Sequence, residues 1–558
     1  MTKLKQRGWA HITRSVVLLC PLVLSIGAVL RMGYKRHLAR VAVAPESKYF
    51  RQVYSVVSAN FADPVSPERT IYHGAIPAML RALDPHSTFF DERAFRRQTQ
   101  AANGNYTGVG VELTYQNHQF IIVGCHSNSA ARRAGIHPGD LLVAVNGKPT
   151  DALKGSEVLD LLAGPAGTAT QLSIVRDGRP LNFSMKTEVM SLKSVPDATW
   201  IRPGIAYLAI VVFNEATPAE FAANLKKCQQ EGMQGLILDL RDNPGGLVRA
   251  AVAVADQFLR MGEMILCQRG RTFPTTTYVA THGNGGHEYP MVILVNRNTA
   301  SAAEAVAGAL QDHDRAWVLG DDTYGKGVVQ TLNELPADTG LALVKSRYYT
   351  PSGRLLQRRH YSAALGRYER RAARDLVAWM TDSGRPVYAS AGVGPDEHYA
   401  PEYDRFQALL ARRFAHLEYT NHYLNLHPTV VDERWQPDDA MVDDFRDYLR
   451  QHGFTFTKAE FARHAAWIRQ RLRQAVLRTV FGLDETPRVL LATDATVQRA
   501  LDAMPKAQTL LESAGRVRLN VQSTRPKWIA TAQETSAAAG GRSDAPASTG
   551  SRRLERGR

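Results

Sequence analysis

The sequence predicts a multidomain α/β protein in which a sheet core carries an inserted β-domain and is flanked by helical regions. Three observations predict this class. Residues 204–330 alternate short apolar runs with helix-forming stretches, as parallel βα units do. Residues 104–190 carry short alternating strands separated by glycine turns. Residues 45–102 and 403–515 place apolar side chains at helical spacing, which predicts an N-terminal and a C-terminal helical region.

Length and charge restrict the classes of function. The chain has 558 residues, and its hydrophobic content of 44% and charged content of 22% are typical of a folded protein. The net charge of +15 is concentrated at the ends, since residues 1–40 carry eight Lys or Arg and no acid, and residues 516–558 carry nine against three acids. Because the middle is nearly neutral, we expect no nucleic-acid-binding surface.

The four cysteines are widely separated, without CxxC spacing, and the chain has no HExxH motif. They are Cys20, Cys125, Cys228 and Cys267. This pattern predicts neither a disulfide framework nor a metal site, and we expect no cofactor.

The N-terminal segment, residues 1–40, contains an uncharged apolar run at residues 15–30 behind a basic start. Such a run is typical of a signal peptide or a short membrane anchor. Because no small-residue cleavage site follows closely, we favour an uncleaved anchor, with the bulk of the chain outside the cytoplasm, in the periplasm. Residues 45–102 are interpreted as a packing or dimerisation element, which leaves a homo-oligomer open. Residues 516–558 predict a disordered basic tail.

The inserted β-domain, residues 104–190, opens with a glycine-rich stretch, Gly108-Val109-Gly110-Val111. Further on, Ala134–Asp140 precedes an apolar strand and a tight Asn146-Gly147 turn. Together these features resemble a PDZ domain. In such a domain the backbone N–H groups of the glycine loop bind a peptide's C-terminal carboxylate, and the sheet edge accepts the peptide as an added strand. The alternative is a small β-barrel without a ligand.

The stretch from residue 291 to residue 330 carries the candidate chemistry. An apolar run, Met291–Val295, predicts a buried strand, and an Ala-rich helix is predicted from about Ala300 to Gln311. Ser301 lies at their junction, where its hydroxyl meets the free N–H groups of a helix start.

Lys326 follows between two glycines, with Gln330 four residues later. A serine with a neutral lysine as its base suffices for acyl transfer. The pKa of the lysine must then fall by roughly three units, about 4 kcal/mol, which burial can supply. The alternative is a helix-capping serine and a surface lysine.

A second turn is expected beside this serine. The apolar strand from Gly235 to Leu240 ends in a turn that contains Gly245 and Gly246. Because functional loops gather at the carboxyl ends of parallel strands, the amides of these glycines could form an oxyanion hole with the N–H of Ala302.

The remaining segments predict no chemistry. The arginine-rich residues 358–385 show no strand pattern and are interpreted as a solvated insertion. An apolar stripe that runs from Phe461 to Val480 at helical spacing indicates packing or oligomerisation. His86, His137 and His313 are expected to lie away from Ser301, because no predicted loop brings them to it.

Jointly, residues 45–515 resemble the carboxyl-terminal processing proteases, a tail-specific serine protease family. The motifs that carry the resemblance are Leu83-Asp84-Pro85-His86-Ser87, the PDZ segment, Asp239-Leu240-Arg241 with Asn243-Pro244-Gly245-Gly246, Asn298-Thr299-Ala300-Ser301-Ala302-Ala303-Glu304, Tyr324-Gly325-Lys326-Gly327 with Gln330, and Tyr349-Thr350-Pro351-Ser352-Gly353. The resemblance departs at Thr299 and at residues 389–392, and neither departure touches the motif residues with proposed roles.

The resemblance implies a crotonase-like (ββα) serine protease core at residues 191–402, with the inserted PDZ domain. It also implies that Ser301 is the nucleophile, that Lys326 is the general base, and that Gln330 orients the lysine. The implied substrates are proteins or peptides bound by the C-terminus, with the PDZ domain gating a narrow tunnel. Two alternatives stay open: a catalytically silent PDZ scaffold that binds C-terminal peptides, and a hydrolase that acts on non-peptide acyl substrates.

Overall fold

The structure, a computed structural model, describes residues 45–116, 118–191, 193–362, 367–370, 378–388, 392–427, 430–485 and 489–524. The apolar run at residues 15–30 and residues 525–558 lie outside these ranges, so the predicted anchor and most of the predicted tail stay predictions. Among the described residues, no helix combines the length and apolar character that crossing a membrane requires.

The chain divides into two compact units between Met79 and Leu80. The helical elements near this division are α1 (Pro45–Asn60), a π-helix (Glu68–Ala75) and α2 (Ile76–Leu83), of which α2 runs across the division. The predicted helical character is thus confirmed. Apolar side chains of α1, among them Tyr49 and Val53, are exposed within the first unit. The dimerisation role of this segment stays a prediction.

The second unit begins with the elements that lead into and form the small β-domain. In chain order they are β1 (Thr88–Phe90), α3 (Glu92–Ala102), β2 (Asn105–Gly108), β3 (Val111–Gln116), β4 (Gln119–Cys125), α4 (Ala130–Arg133), β5 (Leu141–Val145), β6 (Lys148–Pro149), α5 (Gly155–Leu162), β7 (Ala169–Arg176), β8 (Arg179–Lys186) and β9 (Glu188–Ser191). Strands β3, β4, β5, β7 and β8 form an antiparallel sheet in that order, so β3 is an edge strand. Ile122, Leu142 and Ile174 from the strands and Val158 from α5 form its core.

The following residues form the main α/β core. In chain order its elements are β10 (Thr199–Arg202), β11 (Ile205–Ala209), α6 (Thr217–Gln230), β12 (Gly235–Asp239), α7 (Val248–Asp256), β13 (Met264–Arg269), β14 (Thr276–Val279), β15 (Met291–Val295), α8 (Ala302–Asp312), β16 (Trp317–Gly320), β17 (Val328–Leu335) and β18 (Thr339–Tyr349). The predicted strand at Met291–Val295 and the alternation of strands and helices are confirmed.

Strands also occur in the arginine-rich stretch, where the sequence analysis expected none. They are β19 (Arg359–Ser362), β20 (Arg367–Arg370) and β21 (Ala378–Met380), and β22 (Pro386–Tyr388) and β23 (Glu397–His398) follow the stretch. β19 pairs with β20 and β21 pairs with β22, both antiparallel. The expectation of a strand-free insertion is therefore wrong: two-stranded pairing needs no long apolar run, and arginine side chains do not prevent it.

Two sheets organise the core. One has the order β10-β11-β12-β15-β16-β23, parallel from β11 onward, and the other has the order β1-β18-β13-β14, with β17 paired to β18. On the parallel sheet, alternate residues face opposite sides. Leu236 and Ile293 pack with α7 and α8, whereas Ile237 and Leu294 pack on the other side. The carboxyl ends of β12 and β15 are neighbours, which positions the turns described below.

The C-terminal helices complete the described chain. They are α9 (Arg405–Arg412), α10 (Ala415–Leu426), α11 (Asp439–Gln451), α12 (Lys458–Arg463), α13 (Ala465–Phe481), a 3-10 helix (Leu491–Thr493) and α14 (Ala495–Thr524). The predicted stripe is buried, with Phe461, Leu472 and Val476 in one core, which confirms a packing role. Helix α14 covers the parallel sheet and continues to Thr524. The predicted start of the disordered tail, residue 516, is therefore wrong, because residues 516–524 are helical.

Candidate active site

Ser301 lies at the junction between strand β15 and helix α8, as predicted. The turn before it is fixed from the neighbouring strand: Thr299 Oγ1 donates to Leu240 O at 2.8 Å, and Ala300 N donates to Asn243 O at 2.9 Å. Ser301 itself adopts φ 56° and ψ −114°, a conformation that costs a non-glycine residue on the order of 1–3 kcal/mol. The surrounding contacts must stabilise this strained backbone. The conformation places Ser301 outside the regular turns of the helix that it begins.

Lys326 lies in the loop before β17, and its amine is bound by Gln330. Lys326 Nζ donates to Gln330 Oε1 at 2.7 Å, and Gln330 Nε2 donates to the carbonyl of His86 at 2.6 Å. Burial lowers the pKa of Lys326 below its ordinary value, and the nearby carboxylates of Glu304 and Asp84 oppose this shift. The direction is the one that a general base needs near neutral pH.

The turn that carries His86 was not predicted to reach the site. The carboxylate of Asp84 accepts from the amides of His86 and Ser87 and from the Ser87 hydroxyl, each at 2.6 Å. These bonds fix the turn so that the His86 carbonyl faces Gln330. The expectation concerned Ser301, and the His86 turn reaches the site on the lysine side, where its backbone carbonyl takes part.

The other two histidines lie elsewhere. Burial lowers the pKa of His137 to about 4, and its backbone amide contacts Asp140 in the small β-domain. His313 contacts the carboxylate of Asp382 through Nδ1 and the carbonyl of Met264 through Nε2. Neither imidazole contacts Ser301, as expected.

Glu304 joins the serine and lysine segments. Its side chain is fully buried, and its carboxylate accepts the backbone N–H of Ser301 at 2.7 Å and that of Lys326 at 2.8 Å. It also accepts from the Thr323 hydroxyl and from the amide of Gly325. Burial raises the pKa of Glu304 and these four donors lower it, with a net upward shift. No direct hydrogen bond between Ser301 Oγ and Lys326 Nζ is present in the described structure, so their segments are joined through this carboxylate.

The glycine turn lies against the serine. A Cβ atom built on Gly245 would be 2.7 Å from Ser301 Cβ and 2.9 Å from Ala302 N. The N–H of Gly245 donates to Asn243 Oδ1 at 2.8 Å. The amides of Gly246 and Ala302, in contrast, donate to no acceptor among the described residues. Two of the three predicted oxyanion donors thus have a free N–H, and the third is engaged within its own turn.

The predicted peptide-binding residues form the loop between β2 and β3, and we call residues 108–111 the capture loop. The carbonyls of Val109 and Gly110 accept the amides of Ala131 and His126 at 2.9 and 3.0 Å. The amides of Val109 and Gly110 donate to no described acceptor. Gly108 and Val111 flank these two amides, and Val111 begins the edge strand β3. The two amides therefore lie directly before the edge strand of the sheet.

The capture loop is covered by neighbouring side chains. All four of its residues are buried; the Tyr106 hydroxyl lies directly over Gly108, and Met190 Sδ would be 3.0 Å from a Cβ atom on Gly110. Arg97 on helix α3 forms an ion pair with Asp160 on helix α5 and is close enough to Tyr106 to influence its ionisation. No pattern in the sequence indicates this pair, because its two residues are remote along the chain.

Comparison with known proteins defines the class first. The family profile of peptidase family S41 matches residues 204–361, and that of the PDZ domain matches residues 121–176. The core and the inserted domain therefore define a serine protease of family S41 with a PDZ domain.

Two relatives narrow this class. A carboxy-terminal-processing protease of Bartonella bacilliformis is 34% identical over 299 residues, which are 52% of this chain and 68% of the relative. A carboxyl-terminal-processing protease of Synechocystis sp. is 32% identical over 285 residues, 50% of this chain and 66% of the relative. Among solved structures, a photosystem II D1 C-terminal processing protease aligns with a TM-score of 0.40 and 25% identity, over 63% of this chain and 87% of its own. The chain belongs to the carboxyl-terminal processing proteases.

Proposed function

We propose that the protein is a serine endopeptidase with a Ser-Lys dyad that captures substrate C-termini through its PDZ domain and cleaves exported proteins. Ser301 is the nucleophile, Lys326 is the general base, and Gln330 orients the lysine. The observation that carries this proposal is the chain of contacts from Lys326 Nζ through the Gln330 amide to the carbonyl of His86. An amine held in this way and partly removed from water is suited to accept a proton.

The chemistry follows from these positions. The neutral amine of Lys326 takes the proton of the Ser301 hydroxyl as Oγ bonds to the scissile carbonyl carbon. The resulting ammonium then returns that proton to the leaving amide nitrogen as the C–N bond breaks. In the second half the lysine takes a proton from water as the water oxygen bonds to the acyl carbon, and it returns that proton to Ser301 Oγ as the ester bond breaks and the new carboxyl terminus leaves. Gln330 supports both halves, because its Oε1 accepts one hydrogen of the neutral amine and leaves the other hydrogen and the lone pair for the reaction.

The developing oxyanion requires N–H donors next to Ser301. The amides of Ala302 and Gly246 are the candidates, because neither has a described acceptor. Ala302 also begins helix α8, whose N-terminal end favours negative charge. Gly245 contributes through its close approach, since any side chain there would collide with Ser301.

Substrate capture uses the free amides of the capture loop and the edge of β3. The peptide carboxylate would accept hydrogen bonds from the backbone N–H groups of Val109 and Gly110, and the peptide residues before it would pair with β3. We further propose that residues 15–30 anchor the protein in the membrane, with the catalytic core on the periplasmic side. A chain so placed would meet exported proteins as its substrates.

The test is cleavage of a folded reporter protein that carries an apolar C-terminal tail. We expect Ser301→Ala and Lys326→Ala each to lower kcat by at least about 1,000-fold, whereas both still bind the free tail peptide. Lys345→Ala is the matched control, because Lys345 Nζ also donates to a side-chain amide oxygen, that of Asn333. Retained proteolysis in Lys326→Ala, with the control active, contradicts the assignment of the lysine.

The silent scaffold remains a second candidate, favoured by the lack of a Ser301 Oγ to Lys326 Nζ hydrogen bond among the described contacts. It predicts that the parent protein binds tail peptides without turnover. Catalytic geometry often tightens only when substrate is bound. Multiple turnovers by the parent, abolished in Ser301→Ala, exclude the scaffold.

A further inference from the structure

Tyr348 on strand β18 reaches both halves of the proposed dyad from the second sheet. Its side chain is 1% exposed, and its hydroxyl contacts the carbonyl of Ser301 at 2.7 Å and the carbonyl of Lys326 at 2.6 Å. A phenol has a single hydrogen to donate, so the two carbonyls share it. The hydroxyl therefore ties together two peptide units that come from different loops.

The same two peptide units are joined at their N–H ends by Glu304. Its Oε2 accepts the amides of Ser301 and Lys326 at 2.7 and 2.8 Å. Each residue of the dyad is thus fixed at its N–H by a buried carboxylate and at its carbonyl by a buried hydroxyl. Among the described residues, no side chain other than those of Glu304 and Tyr348 bonds to the backbone of both Ser301 and Lys326.

We propose that Tyr348 is a positioning residue that sets the geometry between Ser301 and Lys326 through their carbonyls. The inference rests on the proposed Ser-Lys function and adds a residue to it. Tyr348 touches neither the hydroxyl of the serine nor the amine of the lysine, so it acts only through the backbone of both.

The lysine depends on this contact more than the serine does. The Ser301 carbonyl also accepts the amide of Ala305 at 3.0 Å, as the first bond of helix α8. The Lys326 carbonyl accepts no other hydrogen bond from the described residues. Loss of the hydroxyl therefore leaves the Ser301 carbonyl with its helix bond and the Lys326 carbonyl with no hydrogen bond from the described residues, while the Lys326 amide stays on Glu304.

A role of Tyr348 as a proton acceptor is excluded by its surroundings. Complete burial raises the pKa of Tyr348 well above its ordinary value, and the charge of Glu304 raises it further. The phenol therefore stays protonated in the range where the enzyme would work and serves as a hydrogen-bond donor.

The experiment compares Tyr348→Phe with Tyr419→Phe. Tyr419 is an equally buried tyrosine in the C-terminal helices, and its hydroxyl also contacts two oxygens, Met441 O and Asp444 Oδ2, both at 2.9 Å. We expect Tyr348→Phe to lower kcat by at least about tenfold with KM within about twofold, and Tyr419→Phe to leave both within about twofold. Melting temperatures measured in parallel show whether the two variants lose similar stability.

The pH profile separates positioning from general weakening. Burial lowers the pKa of Lys326, so a loosened loop that admits water raises it. In Tyr348→Phe the rise of kcat/KM with pH should shift to higher pH, and in Tyr419→Phe it should not. An unshifted profile, or a loss of kcat that Tyr419→Phe matches at equal loss of stability, overturns the proposal.

Two further measurements test the proposal if Tyr348→Phe does not fold and distinguish failure of the positioning role from failure of the Ser-Lys function. If Tyr348→Phe does not fold, replacement of Tyr348 by p-aminophenylalanine keeps a hydrogen-bond donor in the same place. The kcat of that variant should stay within about fivefold of the parent, with an unshifted pH profile. A loss of kcat as large as that of Lys326→Ala contradicts the proposal. Lys326→Ala in the same assay distinguishes the two failures. If it is active, the Ser-Lys function itself fails; if it is inactive while Tyr348→Phe behaves like Tyr419→Phe, only the positioning role fails.

Discussion

The catalytic site and the capture loop are both built from backbone groups, but they are held in different ways. At the catalytic site, Glu304 and Tyr348 are almost fully buried and bond to both segments of the dyad. The capture loop offers two free amides under the side chains of Tyr106 and Met190. The first is fixed by buried side chains that bond to it, whereas the second is covered by two neighbouring side chains.

Two ion pairs of the small β-domain are more exposed to solvent than the contacts of Glu304 and Tyr348. The Arg97–Asp160 pair is partly exposed, with side-chain exposures of 27% and 23%. On the other side of the domain, Asp484 accepts the amide of Ser127 at 2.8 Å and contacts the ring of His126 at 2.9 Å. Such partly solvated ion pairs contribute at most about 1 kcal/mol each. These two pairs at the small β-domain are therefore weaker and more sensitive to salt than the buried contacts of Glu304 and Tyr348.

The largest effect that tests this contrast is expected from Glu304→Gln. The amide replaces one acceptor oxygen by a donor that faces N–H groups, so we expect kcat to fall by at least about 100-fold and the free energy of unfolding to fall by about 2–4 kcal/mol. Chemical denaturation and tail-cleavage kinetics measure the two quantities.

Glu220→Gln is the matched control for this change. The Glu220 carboxylate accepts the amides of Ser194 and Val195 and the Ser194 hydroxyl, away from the dyad. It should lose stability and keep kcat within about twofold. A Glu304→Gln variant with the parent's kcat would show that the catalytic site is not fixed through this carboxylate.

A smaller effect concerns the pH dependence of stability. Because burial lowers the pKa of Lys326 in the folded state, the unfolded chain binds more protons between that value and the ordinary lysine pKa. The free energy of unfolding of the parent therefore rises with pH across this window, by about 1.4 kcal/mol per unit of pKa difference. Lys326→Met removes this dependence and should be more stable than the parent below the window, with an advantage that shrinks as the pH rises.

Denaturation of the two proteins at a series of pH values measures this advantage. Lys345→Met provides the matched lysine control, since Lys345 is partly buried and bonds Asn333. An advantage of Lys326→Met that is the same at every pH would mean that the amine is not perturbed by burial.

The smallest effects are expected at the capture loop. Asp160→Asn removes the negative charge of the pair whose arginine lies near Tyr106, the residue over the capture loop, and Arg97→Gln leaves that charge unpaired. We expect the first to tighten and the second to weaken binding of a tail peptide, each by about two- to fivefold at low salt, with little change in kcat. Fluorescence anisotropy at low and high salt measures both, and an amidated peptide is the ligand control. Equal affinity of both variants for the tail peptide would show that the ion pair does not influence binding at the capture loop.

Local sequence was sufficient to predict part of this architecture. Ser301 at a strand-to-helix junction and Lys326 with Gln330 nearby are properties of one continuous stretch. The proximity of Gly245 to Ser301 followed from the rule that the ends of parallel strands gather at one edge. Each of these inferences needed only neighbouring residues or a regular repeat.

The contacts that fix the site could not be predicted in the same way. Tyr348 reaches Ser301 from another sheet, and His86 is presented by a turn more than two hundred residues before Gln330. Arg97 and Asp160 meet although their helices belong to regions that are far apart along the chain. Such contacts depend on packing between sheets and helices, for which no periodicity in the sequence is diagnostic.

The central claim is tested most directly by the rate at which a fluorophosphonate probe labels Ser301, with the labelled residue identified by mass spectrometry. In the parent we predict labelling at Ser301 alone, with a rate that rises with pH through a pKa below that of an ordinary lysine. In Lys326→Ala the rate should fall by at least about 100-fold and lose this dependence. Labelling of Lys326→Ala at the parent's rate, or attachment of the probe to a residue other than Ser301, would contradict the account.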